Sequence, residues 1–146
     1  GSMKDRMAAS MVAYGEDTGA LEPGMQVIEY TGGSTGSSLA MVCAARGYRA
    51  HLVTADCFAL EKIQTMRAFG AHVEVFESES GQVTPELFDR FKLRIAELAV
   101  DKQPQTLLMP VAARRQLNDL PDELWTRVNI EFYKDAADAV FKALVE

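Results

Sequence analysis

Apolar positions along the chain follow two alternating rhythms, one with the spacing of a helix and one with that of a strand. Over residues 4–18, Met7, Ala8, Met11 and Val12 recur on one helical face, and Gly19 followed by Pro23-Gly24 turns the chain. Residues 27–30 form a short strand pattern. Leu39, Ala40, Val42 and Cys43 then give a second helix its buried side, with Gly47 suited to its end. Residues 51–55 predict an apolar strand. Residues 58–69 predict a third helix carrying Leu60, Ile63 and Met66, stopped by Gly70, and residues 72–76 alternate as a strand. Residues 78–82 are turn-like. Thr84-Pro85 opens a fourth helix marked by Leu87, Phe88, Phe91, Ile95 and Leu98. After a break at 103–105, residues 106–111 and 128–132 predict strands and 117–125 a short helix. Asp135 caps a last helix with Ala137, Val140, Phe141 and Leu144 inward.

Strand and helix thus alternate about five times, which calls for crossover connections and a mostly parallel sheet. The expected fold class is α/β: a three-layer α/β/α, Rossmann-like domain with a mostly parallel sheet of about five strands. The whole chain, 1–146, is expected to form a single domain, the tail strand 128–132 joining the same sheet as 27–30 and completing it.

The stretch from Val27 to Ala40, VIEYTGGSTGSSLA, is the chemical centre of this pattern. A strand runs into a glycine-rich turn and straight into a helix, and ligands of open parallel sheets sit at such strand ends. The first amides of a helix lack intrahelical partners, and the macrodipole adds partial positive charge there. Gly32, Gly33 and Gly36 allow a sharp bend, and Thr31, Ser34, Thr35, Ser37 and Ser38 add hydroxyls. The guest of such a site is a carboxylate or a phosphate. The loop is not a Walker A sequence, because no Lys follows its last glycine, and it lacks G-x-G-x-x-G spacing. The competing reading is a tight connection whose hydroxyls cap the helix.

Composition narrows the field. A 146-residue chain with 48% hydrophobic and 25% charged residues holds one core-forming domain. No run approaches a membrane span, and a net charge of −6 argues against nucleic acid as a partner. Cys43 and Cys57 are too few for a disulfide framework and lack metal-ligand spacing, so the expectation is a reducing cytoplasm and no metal. Cys43 falls on a buried helix face. His51 and His72 fall in strand patterns and read as structural residues.

Several spaced motifs resemble the cysteine synthases, fold-type II enzymes dependent on pyridoxal phosphate. Gly1-Ser2-Met3-Lys4-Asp5-Arg6 is similar to their G-S-x-K-D-R segment, although Gly1-Ser2 also reads as a vector-derived start. T-G-G-S-T-G from Thr31 resembles their T-S-G-N-T-G loop, followed by G-S-S-L-A-M-V-C-A-A-R-G-Y, M-R-A-F-G-A from Met66 and V-T-P-E-L-F from Val83. The likeness spans residues 4–99. It implies that Lys4 is the lysine forming the internal aldimine, and that Thr31, Gly32, Gly33, Ser34 and Thr35 hold the α-carboxylate of a small amino-acid substrate. It further implies that Ser34 stands where an Asn contacts the cofactor ring, with Gly32 in place of a Ser. The family's phosphate cup and pyridine-nitrogen partner match nothing in the sequence. The resemblance therefore implies a smaller domain, not catalytically complete alone, with pyridoxal phosphate not stably bound and a homodimer possible. The alternative is a non-catalytic small-anion-binding or protein-interaction module.

Residues 106–144, with L-L-M-P-V, R-R-Q-L-N-D-L-P-D-E-L and I-E-F-Y-K-D-A-A-D-A-V-F-K-A-L, resemble the end of Lon-type protease domains. No match to that family's catalytic dyad is present, so protease activity is not implied.

Overall fold

The computed structural model describes residues 2–101, 106–110 and 129–133. The chain divides into two compact units, 1–95 and 96–146. In order, the elements are α1 (Met3–Thr18), β1 (Gln26–Tyr30), α2 (Ser34–Arg46), β2 (Arg49–Ala55), α3 (Leu60–Ala68), β3 (His72–Phe76), α4 (Pro85–Asp101), β4 (Thr106–Pro110) and β5 (Asn129–Tyr133). The expected helices at 117–125 and beyond Asp135 lie outside the described residues.

The first unit is a three-layer α/β/α arrangement. Strands β1, β2 and β3 pair in that order, all parallel, with Val27 opposite Ala50 and Leu52 opposite Val73. One face carries α1, α2 and α3. Ala40 and Cys43 of α2 and Ile63 and Met66 of α3 pack with Ala50 and Leu52, while Ala8 and Val12 of α1 meet Leu39 and Val42. The other face is covered by α4, whose fully buried Phe91 stacks on Tyr30 at 5.9 Å between ring centroids and lies 5.6 Å from Phe76. Complete burial of large side chains, Phe91, Leu39, Leu52 and Met66 among them, gives this face-to-face packing its main stabilisation.

The helix ends follow from local chemistry. Ser2 caps α1: its hydroxyl oxygen accepts from the Lys4 amide, and its own amide donates to Asp5 Oδ2 at 2.7 Å, a capping box. Gly19 and Gly47 close α1 and α2 in the left-handed conformation. Helix α3 begins two residues later than its apolar pattern predicts, because the Phe58 amide is engaged in a turn with the Ala55 carbonyl. Leu60 consequently sits before the buried stripe and is 62% exposed, and on α1 Met7 and Met11 lie at the solvent rim while Ala8 and Val12 face inward.

In place of the expected single sheet of about five strands, the described residues form two ladders, one of three strands and one of two. The second unit contains β4 and β5, paired in parallel from Thr106 opposite Asn129 to Pro110 opposite Tyr133. The tail strand expected beside β1 therefore satisfies its backbone groups against β4. Pro110 stands at the last position of β4, where its missing N–H costs the ladder least.

Candidate functional site

Strand β1 ends at Tyr30, and the glycine loop is anchored at once to its neighbour. The Thr31 amide donates to the Val53 carbonyl at 2.9 Å, and Thr54 Oγ1 donates to the Thr31 carbonyl at 2.8 Å. Thr31 itself is buried, and its hydroxyl oxygen accepts from the amides of both Gly33 and Gly36, each at 3.0 Å. This single oxygen folds the loop over onto the first turn of α2.

Two glycines are dictated by this geometry. Gly33, the residue before α2, has φ 135° and ψ −67°, open only to glycine. A Cβ on Gly36 would lie 2.4 Å from Thr31 Cγ2 and 2.6 Å from Met66 Sδ, both buried. Gly32 is exposed, and a Cβ there would meet the Phe58 ring at 3.1 Å.

With Gly33 and Gly36 turned inward, the amides left at the N-terminus of α2 are those of Ser34 and Thr35. Among the described residues no protein group accepts from either. Ser34 is exposed and Thr35 half-buried. Thirteen residues of aligned peptide dipoles stand behind them. The arrangement offers two open amides and two hydroxyls to an anion, with the Lys62 stem alongside, within 3.0 Å of a Cβ built on Gly33. Neither Phe58 nor Lys62 is marked by a motif in the sequence. The available signal was topological: the start of α3, like that of α2, follows the carboxyl end of a parallel strand.

Lys4 is exposed in the first turn of α1. Its neighbour Asp5 accepts from the Ser38 hydroxyl at 2.6 Å, so the N-terminal ends of α1 and α2 are joined. That bond, with the Ser2 amide, holds the Asp5 carboxyl below the usual carboxylate range. The structure therefore brings the Lys4 end of α1 to the same end of the sheet as the loop. Of the other groups singled out, Cys43 is buried in the core and burial pushes its thiol up, which makes it inert. His51 is hydrogen-bonded to Glu74, and Glu74 is also gripped by Arg94.

A parallel three-layer sheet with a glycine-rich helix start, its first amides open, beside a lysine-bearing helix is an α/β domain of the class that receives an anionic ligand at the carboxyl ends of its strands. The chain belongs to the pyridoxal-phosphate dependent enzyme family, whose profile matches residues 1–138. Over 79 residues, 54% of the chain, it is 47% identical to a probable cysteine synthase of Bacillus subtilis, and over 81 residues it is 43% identical to an O-ureido-L-serine synthase of Streptomyces lavendulae. It spans 25% of the length of each. The solved structure of an O-ureido-L-serine synthase superposes with a TM-score of 0.51 at 26% identity, covering 93% of this chain and 52% of the other. Enzymes of this family use pyridoxal phosphate. No helix among the described residues is long and apolar enough to cross a membrane.

Proposed function

We propose that this chain carries the carboxylate-binding part of a cysteine-synthase-like site. The observation that supports it is the capture of the Gly33 and Gly36 amides by Thr31, while the Ser34 and Thr35 amides find no acceptor among the described residues. Those two residues bind the α-carboxylate of a small amino acid, the loop amides and dipole supplying charge complementarity without a cationic side chain. The residues present supply only part of a cofactor site: Lys4, exposed at the same end of the fold, would hold pyridoxal phosphate and Ser34 would touch its ring, with nothing in the sequence matching the phosphate cup. When bound, that group serves as an electron sink for loss of a leaving group from Cβ of the substrate. Thr31, whose hydroxyl oxygen is taken up by the Gly33 and Gly36 amides, holds the shape of the loop. Replacement at Cβ by a sulfur nucleophile is the wider reading for the whole enzyme, since this chain spans a quarter of its curated relatives. The likeness of residues 106–144 to Lon-type protease domains rests on sequence motifs alone and adds no activity.

The test is a titration with O-acetylserine, L-serine and sulfate, read as amide shifts and hydrogen exchange. Protection confined to the Ser34 and Thr35 amides is expected, since binding stabilises the ordered loop by mass action. Ligand-independent exchange at both would sink the proposal. Excess pyridoxal phosphate should give a visible absorbance band that Lys4→Ala abolishes and that gel filtration removes, because the phosphate cup is missing. The runner-up, a small-anion-binding module without catalysis, is favoured by Ser34 standing where cysteine synthases have Asn. It predicts a colourless protein whose Tm still rises with small amino acids.

A further inference from the structure

We propose that His51, His72 and Glu74 form a site for a divalent transition metal, with zinc the best match to the donors. The three come from adjacent parallel strands. His51 and His72 are register partners, and Glu74 follows His72 by two residues, so all three side chains leave one face of the sheet. Their ligand atoms lie within 4.8 Å of one another. His51 Nε2 and Glu74 Oε1 are 2.8 Å apart in a hydrogen bond, a spacing that needs to open by only about half an ångström for both to bind one tetrahedral ion, and the imidazole centroids are 4.5 Å apart with ring planes at 77°. Two imidazoles and a carboxylate make an open zinc-type site with a fourth position for water, and the nitrogen donors select against magnesium and calcium.

His51, Glu74 and Arg94 alone form a satisfied network, so the informative residue is His72. It is exposed, packs its ring on His51, and makes no hydrogen bond or ion pair among the described residues. Its nitrogens are available, and its exposure gives an ion a way in. Arg94 Nε donates to Glu74 Oε2 at 2.8 Å and Nη2 to Oε1 at 2.9 Å. An ion taking Oε1 displaces the Nη2 contact and the His51 hydrogen bond. The bond to Oε2 stays and holds the carboxylate in place, as outer-shell partners of metal ligands do. The guanidinium charge opposes the ion and keeps the site weaker than a closed structural one.

The experiment is titration of the purified chain with zinc chloride by calorimetry, with cobalt(II) absorbance and Tm in parallel. One ion per chain, a raised Tm and a cobalt spectrum without a thiolate band are expected. His72→Ala should weaken binding at least about tenfold, the size of loss that supporting residues already cause, and Cys57→Ser should leave it unchanged. His51→Ala risks misfolding, so the deciding variant is that of exposed His72, which keeps the metal-free Tm. Absence of stoichiometric binding, unchanged affinity in His72→Ala, or a thiolate band would each overturn the assignment.

Discussion

The Ser38 hydroxyl donates to Asp5 Oδ1 at 2.6 Å and thereby joins the N-terminal ends of two helices through residues 33 positions apart in sequence. Asp5 is held below its ordinary value of 3.8 chiefly by this bond. A carboxyl with a lowered folded-state value favours the fold above the ordinary value, and that contribution is lost as pH falls through the folded value. Ser38→Ala should therefore move the Asp5 titration upward and lower Tm by a few degrees at neutral pH, both read by carboxyl-resolved NMR and calorimetry. An unmoved Asp5 titration would show that the bond does not form in solution.

Thr31 and Gly36 should be the least replaceable residues of the loop. Thr31→Val leaves two amides without an acceptor, a loss of about 2–4 kcal/mol at the usual cost of orphaned buried donors. Gly36→Ala forces a methyl against Thr31 and Met66 and should cost about 3 kcal/mol, the upper end of ordinary overpacking. Denaturant unfolding measures both. A Gly36→Ala protein as stable as the parent would contradict the close packing of α2 on Thr31.

Glu29 is half-buried beside a concavity lined by Met11, Val12, Leu21, Val27 and Leu39, and burial pushes its carboxyl above the ordinary 4.5. A raised folded-state value means the charged form is disfavoured in the fold, so this contribution disappears as pH rises through that value. Glu29→Gln keeps the acceptor for the Tyr30 amide. It should raise Tm at neutral pH and lose the advantage near pH 4, a trend that thermal melts across pH report directly.

Glu74 shows the opposite sign. Its hydrogen bonds with Arg94, then His51, bring its carboxyl down to about 2 from 4.5. Its stabilisation is complete above the ordinary value and is lost as pH falls toward 2, on the order of 2 kcal/mol for a shift of this size in a partly exposed group. Glu74→Gln should flatten the acid limb of the stability curve between those values. An acid limb identical to that of the parent would show that other carboxylates dominate it.

The α/β class, the order of the first elements and the loop were legible because periodicity and glycine placement are local properties. Leu39, Ile63 and Met66 advertised their burial by spacing alone. The partner choice of β5 was not legible: the pattern at 128–132 says strand, but pairing depends on which edge is reached, and β4 supplies it. Leu60 misled because a two-residue shift in helix start moves an apolar side chain off the buried stripe. Phe58 and Lys62 beside the loop, and Arg94 on Glu74, are contacts across the fold that no spacing along one element can announce.

Because one buried oxygen on Thr31 and two glycines fix the backbone, the side chains of Ser34 and Thr35 are spared any part in shaping the loop. Frame and contact surface are thereby uncoupled. Exchange of the exposed Ser34 for an amide side chain should therefore leave the backbone geometry behind it, and the fold, unchanged.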